Sequence, residues 1–309
     1  MVRSFDSEIA VLIIIFIRPE QTRMLLNELE KVKPKRLYVV CDGPRNEKDT
    51  LLSNEVKKMF EELSWNCEVR TNYRKENIGP GKCVSEGISW FFENEEMGII
   101  FEDDILPSED FFPFVSSMLK KYKDDDRIGN ISGCNYQDGI KRGDGSYYFS
   151  ALTHAWGWAT WRRVWHDYRF DLQDQSDKID FENNKSYRPF RLYWQNILKM
   201  MLNGEINTWD YQFAFLNLIK GRVSVVPNSN LISNIGFNVS TTAYTNAKHP
   251  LASKQTLGSM KENIQPSVME VNVDADIYEQ KNELGNPGFF NFYVKKSKGL
   301  LYQLIKGQK

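Results

Sequence analysis

The sequence predicts an α/β fold: a mixed, mainly parallel sheet flanked by helices, followed by a C-terminal extension. Three observations predict it. Short runs rich in β-branched residues alternate with amphipathic stretches over the first hundred residues. Each apolar run ends abruptly in a polar, charged or glycine residue. The 309 residues, 41% of them hydrophobic, are enough to bury a substantial core.

The elements follow in order. "IAVLIIIFI" is a buried strand, too short to span a bilayer and preceded by Asp6 and Glu8 rather than by a signal-peptide pattern. "RPEQTRMLLNELEKV" is a helix with Pro19 in its first turn and Met24, Leu25, Leu29 and Val32 at helical spacing. "RLYVVCDG" is a second buried strand, and "EKDTLLSNEVKKMFEEL" a charged helix. "CEVRTNY" is a third strand. "GPGKCVSEGISWFFENEE" is a helix with Ile88, Phe91 and Phe92 on its apolar side, and "MGIIF" is the fourth strand.

The pattern changes after residue 125. "RIGNISGCNY" and "GSYYFSA" predict further strands, and "HAWGWATWRRVWHDY" is a compact aromatic segment. "YRPFRLYWQNILKMMLNG" predicts a helix with Leu192, Ile197, Met200 and Met201 apolar. "TWDYQFAFLNLIKG" predicts another, stopped by Gly221. A strand and a polar loop follow in "VSVVPNSNLISNIGFNVSTTAYTNAKHP". The chain beyond about residue 251 is weakly patterned, and there are no repeats.

Composition narrows the partners. With 40 Lys+Arg against 41 Asp+Glu, the chain lacks the basic excess of a non-specific nucleic-acid binder. Cys41, Cys67, Cys83 and Cys134 form no CxxC pair, which argues against zinc and fits free thiols in a reducing cytosol. Aromatic residues reach 13%, which suits either a carbohydrate-lined pocket or a large aromatic core.

In an open parallel sheet, ligands bind beyond the carboxyl ends of the strands. Four polar stretches fall there: Arg18, Asp42-Gly43, "RKENIGPGK" and Glu102-Asp103-Asp104. The last follows a greasy strand in "GIIFEDDILPSEDFF". Three adjacent carboxylates repel one another and need water or a cation. Two readings stand for them. Asp104 can hold Mg²⁺ or Mn²⁺ with water and phosphate completing the shell; or the acids are a solvated turn before a helix starting near Ser108, with Glu109 and Asp110 near its dipole. The "DDD" of residues 124–126 has no strand ahead of it and reads as a surface loop.

"IIFEDDILPSEDFFPF" resembles the metal-binding segment of GT-A glycosyltransferases, nearest the N-acetylglucosaminyltransferase I type and bacterial relatives. "FIRPEQTRMLLNEL", "YVVCDGP", "NIGPGKCVSEGISWFF", "HAWGWATWRRVW", "TWDYQFAF" and "VVPNSNLISNIGFNVS" resemble further segments of that family in the same order, over roughly residues 9–250. The resemblance implies a GT-A (Rossmann-like) domain. Its residues 1–125 would form a nucleotide-sugar-binding half and 126–250 an acceptor-binding and catalytic half, with 251–309 an extension. It implies a nucleotide-sugar donor, UDP with N-acetylglucosamine, and Mn²⁺ or Mg²⁺ on Asp104. Glu102 and Asp103 would meet the sugar and ribose, and Arg18 and Asp42 the nucleotide, with Asp42 accepting from a uracil N–H. Asp210 would be the general base of an inverting transfer. The sequence departs from the family at Trp209-Asp210-Tyr211, where a second acid is usual.

Asp210 also reads as a helix N-cap. Lys82 reads as a phosphate contact or as a plain helix-start lysine. Trp156, Gly157, Trp158 and Trp209 read as an acceptor-side wall or as core. His154 and His166 read as structural, and His249 as a weak second contact to metal or diphosphate. Lys295, Lys296, Lys298 and Lys306 beside apolar runs suit either a peripheral membrane contact or a solvated helix face. The expectation is a cytoplasmic enzyme, or one peripheral on the inner membrane face, acting on a glycan or lipid-linked glycan acceptor. Its rivals are a nucleotidyltransferase, which would want a Gly-rich loop after the first strand, and a non-catalytic carbohydrate-binding scaffold.

Overall fold

The computed structural model describes residues 5–238, 257–260 and 262–284. The strands and helices in chain order are β1 Ala10–Ile15, α1 Pro19–Val32, β2 Arg36–Cys41, α2 Glu47–Met59, β3 Glu68–Tyr73, α3 Pro80–Asn94 and β4 Met97–Glu102. Then come β5 Ile105–Pro107, α4 Phe111–Lys121, β6 Ile128–Ser132, β7 Tyr147–Ser150, β8 Trp158–Trp161 and α5 Arg162–Trp165. The described chain closes with α6 Arg191–Leu202, α7 Asp210–Ile219, β9 Val223–Pro227, β10 Ile232–Asn234 and α8 Val273–Leu284.

Eight strands form one sheet in the order β3-β2-β1-β4-β8-β6-β9-β7. β3, β2, β1 and β4 are parallel neighbours. β8 runs against both β4 and β6, β9 is parallel to β6, and β7 is antiparallel to β9. Six of the eight strands therefore point the same way. This is the mixed, mainly parallel, Rossmann-like α/β sheet predicted. β1 is buried along its whole length, as a central strand covered on both faces must be. A second, two-stranded sheet pairs β5 with β10.

Three details differ from expectation. Met24 lies on the solvent side of α1, because Thr22, Leu25, Leu26 and Leu29 form the buried stripe. α4 starts at Phe111 rather than near Ser108, and Asp110 accepts from the Met260 N–H instead of capping the helix. Leu192 is exposed on α6, where Ile197 is the buried residue.

β8 and α8 were not anticipated. β8 is a four-residue strand inside the compact aromatic segment. α8 packs on β7 through residues that are mostly polar: Asp276, Glu279 and Gln280 are only 1–2% exposed. Asp276 accepts from Ser150 Oγ at 2.5 Å, Ser186 Oγ at 2.6 Å and the Ala151 N–H at 3.0 Å. Gln280 bonds the Ser186 carbonyl and receives the Trp194 indole N–H. His154 Nε2 lies 2.9 Å from Glu279 Oε1.

Burial pushes the Asp276 carboxyl up from 3.8 to about 6, against the opposing Ser150 and Ser186 hydroxyls. The folded protein thus holds this proton more tightly than the unfolded chain does. The stabilisation is fully present below the unfolded value and is lost as pH rises through the folded one. Wild-type stability relative to Asp276→Asn should therefore fall by about 2 kcal/mol between roughly pH 4.5 and roughly pH 7. Urea unfolding of both proteins at the two pH values measures this; a pH-independent difference would contradict it.

His249 and the four tail lysines lie outside the described residues. Among the described residues, no helix is long and apolar enough to cross a membrane. The four cysteines are free thiols.

Candidate functional site

The parallel register aligns the strand ends. Ile14 lies opposite Glu102, and Ile15 opposite Cys41. The residues that follow β1, β2 and β4 therefore emerge side by side. The Asp103 N–H donates to the Ile14 carbonyl at 3.0 Å, and the Phe16 N–H donates to Asp103 Oδ2 at 3.0 Å. Arg18 sits at the entrance to α1, where the Thr22 hydroxyl and N–H fix its carbonyl. Its Nη1 donates to Asp103 Oδ1 and to Asp104 Oδ2, each at 2.7 Å. Both aspartates are buried, at 3% and 4% exposure.

The β5–β10 pair carries a second wall to Asp104. The Ile235 N–H donates to the Asp104 carbonyl at 2.8 Å. Gly236 lies directly against Asp104, so that a Cβ there would fall 3.0 Å from Asp104 Cγ and nearer still to Oδ2. Phe237 then meets Trp156 edge-on at 5.6 Å. Chain direction, not sequence proximity, thus brings the Trp156 segment beside the acids.

Asp42 has other work. Its carboxylate accepts from the Gly43 N–H at 2.8 Å and from the Ile78 and Gly79 N–H groups at 3.0 Å each. This ties the loop before α3 to the end of β2, and commits most of the lone pairs that a uracil N–H would need. Gly79 and Gly81 in turn pack against Asn207 and Thr208. Lys82 is exposed on the first turn of α3.

Asp210 opens α7 but does not cap it: the N-cap position is Trp209. Its Oδ1 accepts from the Thr208 hydroxyl and from the Tyr211 N–H. Trp158 and Trp209 stack at 5.4 Å and are core residues, 1% and 5% exposed, with Trp165 and Phe213 packed around them. Neither ring has a face for a sugar. Of the predicted aromatic wall, Trp156 is the half-buried ring at the edge of the acid cluster. Gly157 is enclosed between Ile232 and Ile105.

Burial dominates the electrostatics. It pushes Glu102 up to about 8, reinforced by the charges of Asp104 and Asp103 and opposed by Arg18. It pushes Asp103 up to about 6, again against Arg18, and raises Asp104 as well. Asp210 is raised by burial and lowered by the Thr208 hydroxyl; its charge reaches Glu102. The acids hold Arg18 firmly protonated. One guanidinium thus faces more negative charge than it can balance, and the cluster favours a further cation or protons.

Sequence reasoning missed Gly236, Asn207 and Thr208. "NIGFN" and "NTWD" carried the residues, but only the fold shows what they touch.

No family model matches the chain, and no curated protein does. Among solved structures it is similar to HddC from Yersinia pseudotuberculosis, at 12% identity and TM-score 0.33, over 56% of this chain and 87% of that one. The same protein complexed with GMP-PN matches at 12% identity and TM-score 0.32, with the same coverage. A UDP-glucose pyrophosphorylase complexed with UDP-glucose matches at 11% identity and TM-score 0.40, over 74% of this chain and 94% of that one. The class is set by the chain's own architecture: a mixed, mainly parallel α/β sheet with an arginine-paired acid cluster at the carboxyl ends of its central strands.

Proposed function

We propose that the chain is a metal-dependent glycosyltransferase. It moves a sugar from a UDP-sugar donor, with N-acetylglucosamine as the sugar, to a glycan or lipid-linked glycan acceptor, with inversion. One observation carries the reading. Glu102, Asp103 and Asp104 gather with Arg18 beyond the parallel strands, while a separately held carboxylate, Asp210, lies within electrostatic reach. Such a transfer needs two acidic sites with different tasks.

The donor set suits a hard divalent cation. Asp104 offers carboxylate oxygens, and Gly236 leaves Oδ2 uncovered by any side chain of its own. Among the described residues, no group of three or more His, Cys, Asp or Glu could hold a metal ion by itself. The ion would therefore be held by Asp104, with water and phosphate oxygens filling the other positions, as Mg²⁺ commonly is. When bound, it neutralises charge growing on the diphosphate.

The chain's own residues do the rest. Arg18 meets the donor's anionic side, and Glu102 and Asp103 line its approach. Trp156 offers a ring to the acceptor. The Asp210 carboxylate is oriented through Oδ1, which leaves Oδ2 to take the acceptor hydroxyl's proton. The hydroxyl oxygen bonds the anomeric carbon, and the bond from that carbon to the diphosphate breaks. The electron pair leaves with the diphosphate.

Thermal shift with UDP plus Mn²⁺, against each alone, and a screen of nucleotide sugars for slow hydrolysis test the reading. A joint shift and hydrolysis lost in Asp104→Ala are expected. Pyrophosphate exchange from UTP and a sugar phosphate would point instead to a nucleotidyltransferase, and no shift at all to a scaffold.

The site makes a further prediction at Gly236. Its backbone conformation is ordinary, so alanine meets no backbone strain there; the new methyl must instead push the Asp104 carboxylate aside. Gly236→Ala should lower turnover by about tenfold or more while leaving Tm within a few degrees. Steady-state rates and melting curves on the same preparation decide it; unchanged turnover would show that Asp104 need not stay where it is.

A further inference from the structure

We infer that Arg18 and a divalent cation exclude one another at Asp104, so that the metal binds only when an anion such as a diphosphate draws the guanidinium away. The inference rests on the glycosyltransferase reading and adds to it an order of assembly.

A single nitrogen of Arg18, Nη1, bridges Asp103 Oδ1 and Asp104 Oδ2 at 2.7 Å each. The three side chains are nearly closed to water, at 12%, 4% and 5% exposure. A divalent ion on Asp104 would lie about 2.1 Å from a carboxylate oxygen. Beside a guanidinium already bonded to that carboxylate, it would meet a like charge at close range with little water to screen it.

The two aspartates are not held equally. Asp103 Oδ2 also receives the Phe16 N–H, so Asp103 keeps a partner when Arg18 leaves. Asp104 Oδ2 faces Gly236, which brings no side chain to replace the guanidinium. Departure of Arg18 therefore uncovers Asp104 above all. The movement is confined to the side chain, because the Arg18 carbonyl stays fixed by Thr22.

An anion that bonds Arg18 leaves the buried carboxylates without their cation. The site then gains affinity for another cation, and that cation favours the same anion.

Mn²⁺ binding to the full chain, followed by calorimetry and by the electron paramagnetic resonance of free Mn²⁺, tests this. The arms are no anion, inorganic pyrophosphate and UDP; the proteins are wild type, Arg18→Gln, Arg18→Lys and Asp104→Asn. The wild type should bind Mn²⁺ alone at least tenfold more weakly than Arg18→Gln does. It should gain at least tenfold with pyrophosphate or UDP, beyond the Mn²⁺ that those anions bind in protein-free controls. Arg18→Lys keeps the charge without the guanidinium's shape and should fall between them; it carries the comparison if circular dichroism shows Arg18→Gln unfolded. Asp104→Asn should lose Mn²⁺ in every arm. Equal affinity of wild type and Arg18→Gln for Mn²⁺ alone, with UDP-sugar hydrolysis intact, overturns the exclusion and spares the glycosyltransferase reading. Absence of Mn²⁺ binding by every protein in every arm overturns both.

Discussion

Asp210→Asn should cut turnover by about 10²- to 10⁴-fold, with donor binding little changed. The substitution keeps the shape of the side chain and removes its capacity to take a proton. The Thr208 hydroxyl can still donate to the amide oxygen, as it does to Oδ1, and the Tyr211 N–H can do the same. α7 should therefore stay in place, since Asp210 is not its N-cap. The pH profile gives the discriminating readout. A base works deprotonated, so activity is lost as pH falls through its pKa. Burial raises the Asp210 carboxyl, which moves this acid limb above that of an ordinary aspartate. The Thr208 hydroxyl pulls the other way by stabilising the carboxylate. Thr208→Val should therefore shift the limb further up, while Thr208→Ser should restore it. Turnover measured across pH, with UDP affinity by calorimetry, separates a base from a structural acid. Full activity in Asp210→Asn would remove this residue from the chemistry.

Much of the fold was legible because burial on both faces leaves a strong trace. β1, β2 and β4 are continuous apolar runs with abrupt polar ends, too short for helices and, in β1 and β2, rich in β-branched residues. β8 was hidden because "GWATW" lies in a segment whose aromatics obscure any period. α8 was hidden for the opposite reason. Its buried face carries Asp276, Glu279 and Gln280, so the apolar periodicity that marks a helix is missing.

The candidate site was legible by position more than by partner. The rule that loops at strand ends converge locates Arg18 beside the acids, but nothing in the sequence says that it pairs with Asp103 and Asp104. Those contacts span 85 and 86 positions. Nor does an aspartate after a strand announce that three backbone N–H groups will claim it, as they do Asp42. The tryptophans make the same point. Trp156 and Trp158 are two residues apart, yet only the second is fully buried; Trp156 packs against the core half-exposed. A sequence that puts tryptophans close together does not say which ring meets a ligand.

Gly157, between those two tryptophans, should be among the least replaceable residues of the chain. Gly157→Ala is expected to lower stability by about 2–5 kcal/mol, from two separate causes. The backbone at Gly157 has φ +56°, in the left-handed region where a Cβ costs about 1–2 kcal/mol. The added methyl would also lie 2.7 Å from Ile232 Cγ1 and 3.3 Å from Ile105 Cγ2. Overpacking of this kind typically costs about 1–3 kcal/mol. Ile232 and Ile105 cannot yield freely, because they belong to the β10 and β5 strands. The Gly157 carbonyl is fixed as well, by the Gly133 N–H at 2.8 Å. A shift of β5 or β10 would carry Asp104 or Gly236 with it, since one directly precedes β5 and the other lies two positions past the end of β10. The loss of stability should therefore come with a loss of turnover. A double-mutant cycle separates the causes. Ile232→Val removes a methyl beside the new one, so in the Gly157→Ala background it should be less destabilising than in the wild type, or even stabilising. Only the steric part is recoverable; the backbone strain must remain. If the two substitutions simply add in urea unfolding, Ile232 is not what confines Gly157, and the backbone strain and Ile105 account for the cost.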